Sequence, residues 1–420
     1  MAASVGIADA GAPSLGGAAL RVALKRSQRI QQTKAFALVL PLFLFLLMTF
    51  LVPIAMMLWR SVGDSEVPRI LPRVTAALAR SDGGAFPPDA AFAALIEDMR
   101  DAREGGTLAM AATRLNYDIN GFRSLMFSTS RQLPTGLSDA AAREALIAID
   151  PRWGTRDTWA AIRRAGGPLT DFYLLAALDL RHDADGAVVN APADQAIFVK
   201  VLNRTFWIAG VVTLLCLLIG YPLAYLLATL PDKTANVMMI FILLPFWTSL
   251  LVRTAAWVVV LQREGVLNAF LLGLGMISEP LPMIFNRFAV YVAMVHILLP
   301  FMVLPLYSVM KNIPATHVRA AASLGASPWT AFRRVYMPQT VPGIGAGALM
   351  VFIQALGYYI TPALVGGAED QMISYFVAFY ASRTINWGMA AALSLILLLA
   401  TMVLYGVYNR LVGFERLRLG

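Results

Sequence analysis

The sequence predicts an all-α integral membrane protein with six spans and one large helical insert, and three observations point there. First, the 420 residues are 58% hydrophobic with a mean hydropathy of +0.66, well beyond a soluble domain. Second, six apolar stretches reach the roughly 20 residues that a helix needs to cross a bilayer. Third, the net charge of +9 is uneven: residues 60–200 hold 16 Lys/Arg and 18 Asp/Glu, so the rest carries an excess of +11. Membrane topology accounts for this asymmetry, and nucleic-acid binding is not needed to explain it.

Taken in order, residues 1–35 form a cytoplasmic tail, held inside by Arg21, Lys25, Arg26, Arg29 and Lys34. Its first twenty residues are small and Gly/Ala-rich, a composition that predicts disorder. Span one, 36–59, is too long for the apolar region of a signal peptide. The Trp59-Arg60-Ser61 that follows offers no small-residue cleavage site, so an uncleaved anchor is expected.

Residues 60–200 form the outer insert, at about 140 residues long enough to fold as a small domain. Phe92, Leu95, Ile96 and Met99 fall at i, i+3, i+4 and i+7, Ser138 stands ready to cap a helix running to Ile149, and Thr155 opens another carrying Trp159 and Ile162. Asp183-Ala184-Asp185-Gly186 has a faint likeness to a calcium loop. Arg181 occupies the place of its first ligand, so a plain turn is expected.

The remaining core, 201–412, holds spans two to six at 206–230, 237–261, 287–311, 342–365 and 385–409. The apolar patch 266–277, about 12 residues, is too short to span and reads as an interfacial or re-entrant segment on the outer side. Counting it as a span would turn 312–341 outward, against Lys311, Arg319, Arg333 and Arg334. That loop and the tail 413–420, preceded by Arg410 and carrying Arg416 and Arg418, are therefore expected in the cytoplasm.

Within 312–341, Gly325 and Pro328 split two short helices, the first opened by Pro314 and the second closed by Pro338. Ala320, Ala321 and Ala322 give the first a small face that another protein can approach closely. The run resembles the Glu-Ala-Ala loop of ABC importer permeases, with Ala320, Ala321, Gly325, Phe332 and Pro338 in register and Arg319 where that family usually has Glu. Leu244-Pro245-Phe246-Trp247-Thr248-Ser249-Leu250-Leu251-Val252-Arg253-Thr254-Ala255-Ala256-Trp257 resembles the third span of spermidine/putrescine importer permeases. Ala355-Leu356-Gly357-Tyr358-Tyr359-Ile360-Thr361-Pro362-Ala363-Leu364-Val365-Gly366-Gly367 is similar to their fifth. The resemblance covers roughly 200–412 and leaves out the insert, which reads as a separable addition.

The resemblance implies a type I ABC importer permease architecture in a bacterial inner membrane, with both termini cytoplasmic. It also implies the partners: two ATPase subunits that carry ATP and Mg, a second permease, and a periplasmic solute-binding protein. The cargo implied is a polyamine, with iron(III), phosphonate and opine importers as neighbouring alternatives. In the family the first loop helix inserts into a groove of the ATPase. Arg319 implies that the ATPase meets it with an acidic group.

No catalytic constellation is present, and no cofactor site of the chain's own. A Walker A run is absent, since the only Lys followed by Ser or Thr is Lys233-Thr234, without the glycines. The single cysteine, Cys216, excludes an intrachain disulfide, and His182, His296 and His317 are too scattered for a metal site. No Asp or Glu lies in the six predicted spans, which argues against an ion-coupled carrier; a membrane-anchored sensor or scaffold would not need six spans. For the translocation path the candidates are Arg253, Trp257, Tyr358, Tyr359, Thr361 and Pro362. Arg253 either lines the gate or snorkels to the outer interface. Gly357 and Pro362 predict a bend beside the two tyrosines, whose faces can hold a cation or simply pack between spans. His296 and Gln354 read as interhelical hydrogen-bond partners.

Overall fold

The computed structural model describes residues 17–81, 86–134, 138–183 and 185–412. Most of the stretch expected to be disordered, and the tail 413–420, lie outside the described residues; residues 17–20 are helical instead. Met1–Met57 and Leu58–Gly420 form separate compact units. A helix Gly17–Leu46 continues through a π turn, Leu47–Leu51, into Val52–Trp59. Pro53 would clash with the carbonyl four residues back, and the widened turn ahead of it relieves that conflict.

Among the described residues, six helical segments are long and apolar enough to cross a membrane: Gln28–Trp59, Phe198–Thr229, Leu250–Gly273, Arg287–Lys311, Pro328–Gly357 and Trp387–Arg410. The fourth is the axis of the core, packed between the second and the fifth. It is mostly buried because Val290, Met294, Ile297 and Leu298 recur at helical spacing. Gly220 and Gly347 let the neighbouring helices approach it, each facing Met302 so closely that a Cβ would touch the side chain.

The third span is broken rather than continuous, contrary to the reading of 237–261 as one helix. Asp232–Leu243 leads into a tight turn, Leu244–Trp247, and a second helix, Leu250–Leu261, because Pro245 has no N–H to continue the ladder and Thr248 is extended. The first half starts beside the end of span four, where Asp232 pairs with Lys311 at 2.7 Å. The second packs against the helix Ile360–Val365. The patch read as re-entrant forms the short helix Val266–Gly273, set off from Leu250–Leu261 by the extended Gln262 and Gly265. Its buried Asn268 clasps the return chain by exchanging two 2.9 Å hydrogen bonds with the Leu281 backbone.

Two further corrections concern the fifth and sixth spans. Pro338 does not close a separate helix. Pro328–Ala331, a π turn Phe332–Tyr336 and Met337–Gly357 run on as one rod, the wide turn accommodating the Pro338 ring in its wake. The chain then leaves the helix at Tyr358 and re-enters it at Ile360, so the predicted bend is a full break. Before span six an unpredicted helix, Ile373–Ser382, folds back on Trp387–Val412.

The insert is helical where the apolar periodicity places it. Asp89–Glu104 buries Phe92, Leu95, Ile96 and Met99, and Asp139–Ile149 and Arg156–Arg164 follow Ser138 and Thr155. Burying each such Phe, Leu or Met contributes about 1.5–3 kcal/mol. Trp153 and Trp159 form the centre, Nε1 of Trp159 donating to the Trp153 carbonyl and Nε1 of Trp153 to Thr129 Oγ1. The insert is not wholly helical: Leu180–His182 and Val188–Asn190 form an antiparallel hairpin. Its turn is a plain one, Asp183 Oδ1 accepting from the Asp185 and Ala187 amides and Gly186 taking φ +84°.

Nor is the insert a loose addition. Tyr173 and Ala177 join Phe198 and Val201 of span two, Ile373, and Met389 and Leu393 of span six in one apolar cluster. A Cβ on Gly388 would lie 2.4 Å from the Tyr173 ring, so glycine is required for that contact. Behind it, Arg114 (1% exposed) bridges the buried Asp64 and Asp118, with its guanidinium over the Phe172 and Tyr173 rings.

Candidate coupling surface and translocation path

The helix expected to couple to the ATPase is Ala315–Ser323, with no buried residue along it. Pro314 supplies the extended cap, and Gly325, at φ +83°, ends it in the left-handed conformation that glycine adopts without strain. The Gly325 amide bonds to the Ala322 carbonyl and the Ala326 amide to that of Ala321, closing the C-terminus. Ala320 is exposed and Ala321 half-buried. Arg319 is exposed with no ion pair among the described residues. The large apolar residues on this surface are ones that motif reasoning missed: Leu324 is 90% exposed and Trp329 68%. A Leu directly before the turn glycine in a polar loop was the available signal.

Phe332 belongs to the support of this surface rather than its face. It stacks between Trp329 and Tyr336, with ring centroids 5.8 and 5.9 Å away, and meets Tyr221 and Tyr225 of span two edge-on. His317 Nδ1 and Gln339 Oε1, 2.9 Å apart, tie the helix Ala315–Ser323 to the base of span five. Pro338 is exposed in the first turn after the π turn. An exposed ion pair is worth about 0–1 kcal/mol, so Arg319→Glu is expected to change ATPase copurification only modestly. Complete loss of the complex on a pull-down would show instead that Arg319 is buried in the assembly.

The helix that carries Arg253 and Trp257 packs against Ile360–Val365, which carries Thr361 and Pro362 just after the break in span five. Thr254, one residue after Arg253, bonds through its hydroxyl to Thr361, 3.1 Å away, both fully buried; Pro362 is buried beside them. Trp257 Nε1 donates to His296 Nδ1 at 3.1 Å, an interhelical bond of the kind read for His296. Gln354 does not follow suit: it is exposed and takes part in no side-chain hydrogen bond among the described residues, because its helix face turns away from the core. Tyr358 packs half-buried against the core, whereas Tyr359 is 41% exposed. Unequal effects follow. Tyr359→Ala is expected to slow uptake several-fold at normal protein level, a wet cation–π contact being worth about 0.5–1 kcal/mol. Tyr358→Ala is expected to lower thermal stability, by about 1–2 kcal/mol for half-burial of a ring. Uptake assays and melting curves of both variants check this.

Beyond the break a polar clamp, not foreseen, fixes the loop that follows. Arg204 donates to the Glu369 and Gln371 carbonyls, and Arg287 pairs with Asp370 at 2.9 Å. Asp370 in turn accepts from the Gly367 amide.

Residues 220–414 match the model of the family described as binding-protein-dependent transport system inner membrane component. The chain is 37% identical over 214 residues to the spermidine/putrescine transport system permease protein PotB of Salmonella typhimurium strain SL1344, covering 51% of this chain and 75% of that one. It is 35% identical over 216 residues to PotB of Haemophilus influenzae, again over 51% and 75%. Among solved structures, a bacterial alginate ABC transporter in complex with an alginate pentasaccharide-bound periplasmic protein aligns with TM-score 0.44 at 16% identity, over 51% of this chain and 78% of that one.

Proposed function

From the premise that the chain belongs to the binding-protein-dependent transport system inner membrane components, the permease subunits of ABC importers, we propose that its cargo is a polyamine such as spermidine or putrescine. The observation that carries this is the 37% identity to a spermidine/putrescine permease. The path chemistry supports it. The helical stretches of the spans beyond Asp232 hold no carboxylate, and the break in span five presents Tyr359, so the path suits brief aromatic contact with a cation. Tight recognition then falls to a periplasmic solute-binding protein.

The chain is a transport component rather than a catalyst. Energy enters through two ATPase subunits holding ATP and Mg, with a second permease completing the pore and both termini cytoplasmic. The coupling helix inserts into an ATPase groove and moves with it as a rigid body. The unbroken helix Pro328–Gly357 supports that lever: 30 residues at 1.5 Å each reach about 45 Å, from the cytoplasmic loop to the break at Tyr358. Calorimetry of the cognate binding protein against a solute panel tests the cargo. Spermidine and putrescine are expected to bind, while binding of only iron(III), a phosphonate or an opine would replace the polyamine reading and leave the family intact.

A further inference from the structure

We infer that Tyr225 of span two is a positioning residue for coupling, clamping the joint between the loop 312–341 and span five; the inference rests on the coupling role proposed above. That joint is the weak point of the rod Pro328–Gly357. From Phe332 to Tyr336 the helix widens into a π turn, closed by the Met337 amide on the Phe332 carbonyl, and Pro338 beside it has no N–H to bond back along the helix. Helices bend at such turns and prolines. A push arriving from the loop is carried along span five only if the joint is held straight.

Span two holds it. Trp329, Phe332 and Tyr336 stack in a row along the rod. Tyr225 meets both Phe332 and Tyr336 edge-on, with ring centroids 5.8 and 5.3 Å away, so it bridges the π turn from its first residue to its last. Tyr221 meets Phe332 at 6.3 Å, and its hydroxyl lies 3.2 Å from that of the fully buried Thr340, beyond Pro338. Thr340 Oγ1 donates to the Met337 carbonyl, which leaves it to accept from Tyr221. Tyr221 and Tyr225, four apart, share one face of span two on either side of Pro222, where that helix also lacks a ladder bond. Each helix is thus braced by the other where its own ladder is interrupted. A displacement of the loop then moves span two together with span five.

The test uses the complete transporter in proteoliposomes and reads radiolabelled spermidine taken up per ATP hydrolysed. Tyr225→Ala is expected to lower that ratio about five- to tenfold, with hydrolysis and ATPase copurification near the parental level. Both Tyr225 contacts are ring to ring, so Tyr225→Phe is expected to restore the ratio. A third variant joins Tyr225→Cys and Tyr336→Cys with Cys216→Ser, so that a short bifunctional thiol reagent can replace the clamp. Its ratio is expected to be low before treatment and to return to within about twofold of the parent after it. A parental ratio in Tyr225→Ala, or an equal fall of uptake and hydrolysis, overturns the inference. So does a Tyr225→Phe as defective as Tyr225→Ala. A cross-link that lowers uptake further also overturns it, because spans two and five then part during the cycle. If Tyr225→Ala does not accumulate in the membrane, the cysteine pair decides alone. Parental uptake by Gly325→Pro would instead sink the coupling reading on which the clamp depends.

Discussion

Gly325→Pro is expected to abolish ATP-driven uptake while leaving the protein in the membrane. The position needs φ +83°, and proline is fixed near the opposite sign, at about −65°. The substitution also deletes the Gly325 amide that bonds to Ala322, and it pushes Leu324 out of its near-helical conformation. The last turn of the coupling helix then unravels, at a cost of about 3 kcal/mol or more. With it goes Leu324, at 90% the most exposed large apolar side chain on that surface. Gly325→Ala separates backbone from contact, since a Cβ there meets nothing within 4 Å. It is expected to cost only the left-handed strain, about 1–2 kcal/mol, and to keep partial uptake. Uptake and ATP hydrolysis measured on both variants check the series, and parental uptake by Gly325→Pro would remove this loop from the coupling step.

The second large effect lies in the insert. Arg114→Ala leaves Asp64 and Asp118 buried without their shared counter-charge and removes the cation over Phe172 and Tyr173. Breaking a buried pair in this way costs about 3–5 kcal/mol. Burial already pushes the Asp118 carboxyl above its usual range, against the pull of Arg114. A carboxyl raised in the folded state contributes stability at low pH that is lost as pH rises through its folded value. Removing Arg114 raises it further, so the deficit of the variant is expected to be large at neutral pH and to shrink on acidification. Thermal melts across a pH series read this directly. A deficit independent of pH would mean that lost packing, not unpaired charge, is what the substitution costs.

Much of the fold was legible because bilayer thickness and charge asymmetry act on long windows of sequence. The spans around Cys216, Ile297 and Leu393 need no tertiary information to be placed. The insert helices at Phe92 and Trp159 were legible by period alone. What escaped depends on local trade-offs or on distant contacts. Pro338 reads as a stop, yet a π turn absorbs it, and Pro245 reads as tolerable inside a span, yet it breaks one. The helix Ile373–Ser382 is too short to register as a span, and it is held by Thr205 accepting from the Ile373 amide, a contact 168 residues apart in sequence. The tie between Tyr173 and Gly388 is of the same kind, and it corrects the reading of the insert as a separable addition. At the site, Gly325 and Ala321 fall at one end of the helix Ala315–Ser323, whereas Phe332 turned out to be support and Gln354 to have no side-chain hydrogen bond among the described residues.

The role proposed for this chain is the membrane path of an ATP-driven polyamine importer. Radiolabelled spermidine uptake into proteoliposomes tests it most directly, with this permease, its partner permease, the two ATPases and the binding protein present. Accumulation is expected only with ATP and the binding protein, and is expected to vanish with Gly325→Pro while the binding protein still holds spermidine. Accumulation driven by an ion gradient without ATP, or proceeding unchanged when this chain is omitted, would contradict the account.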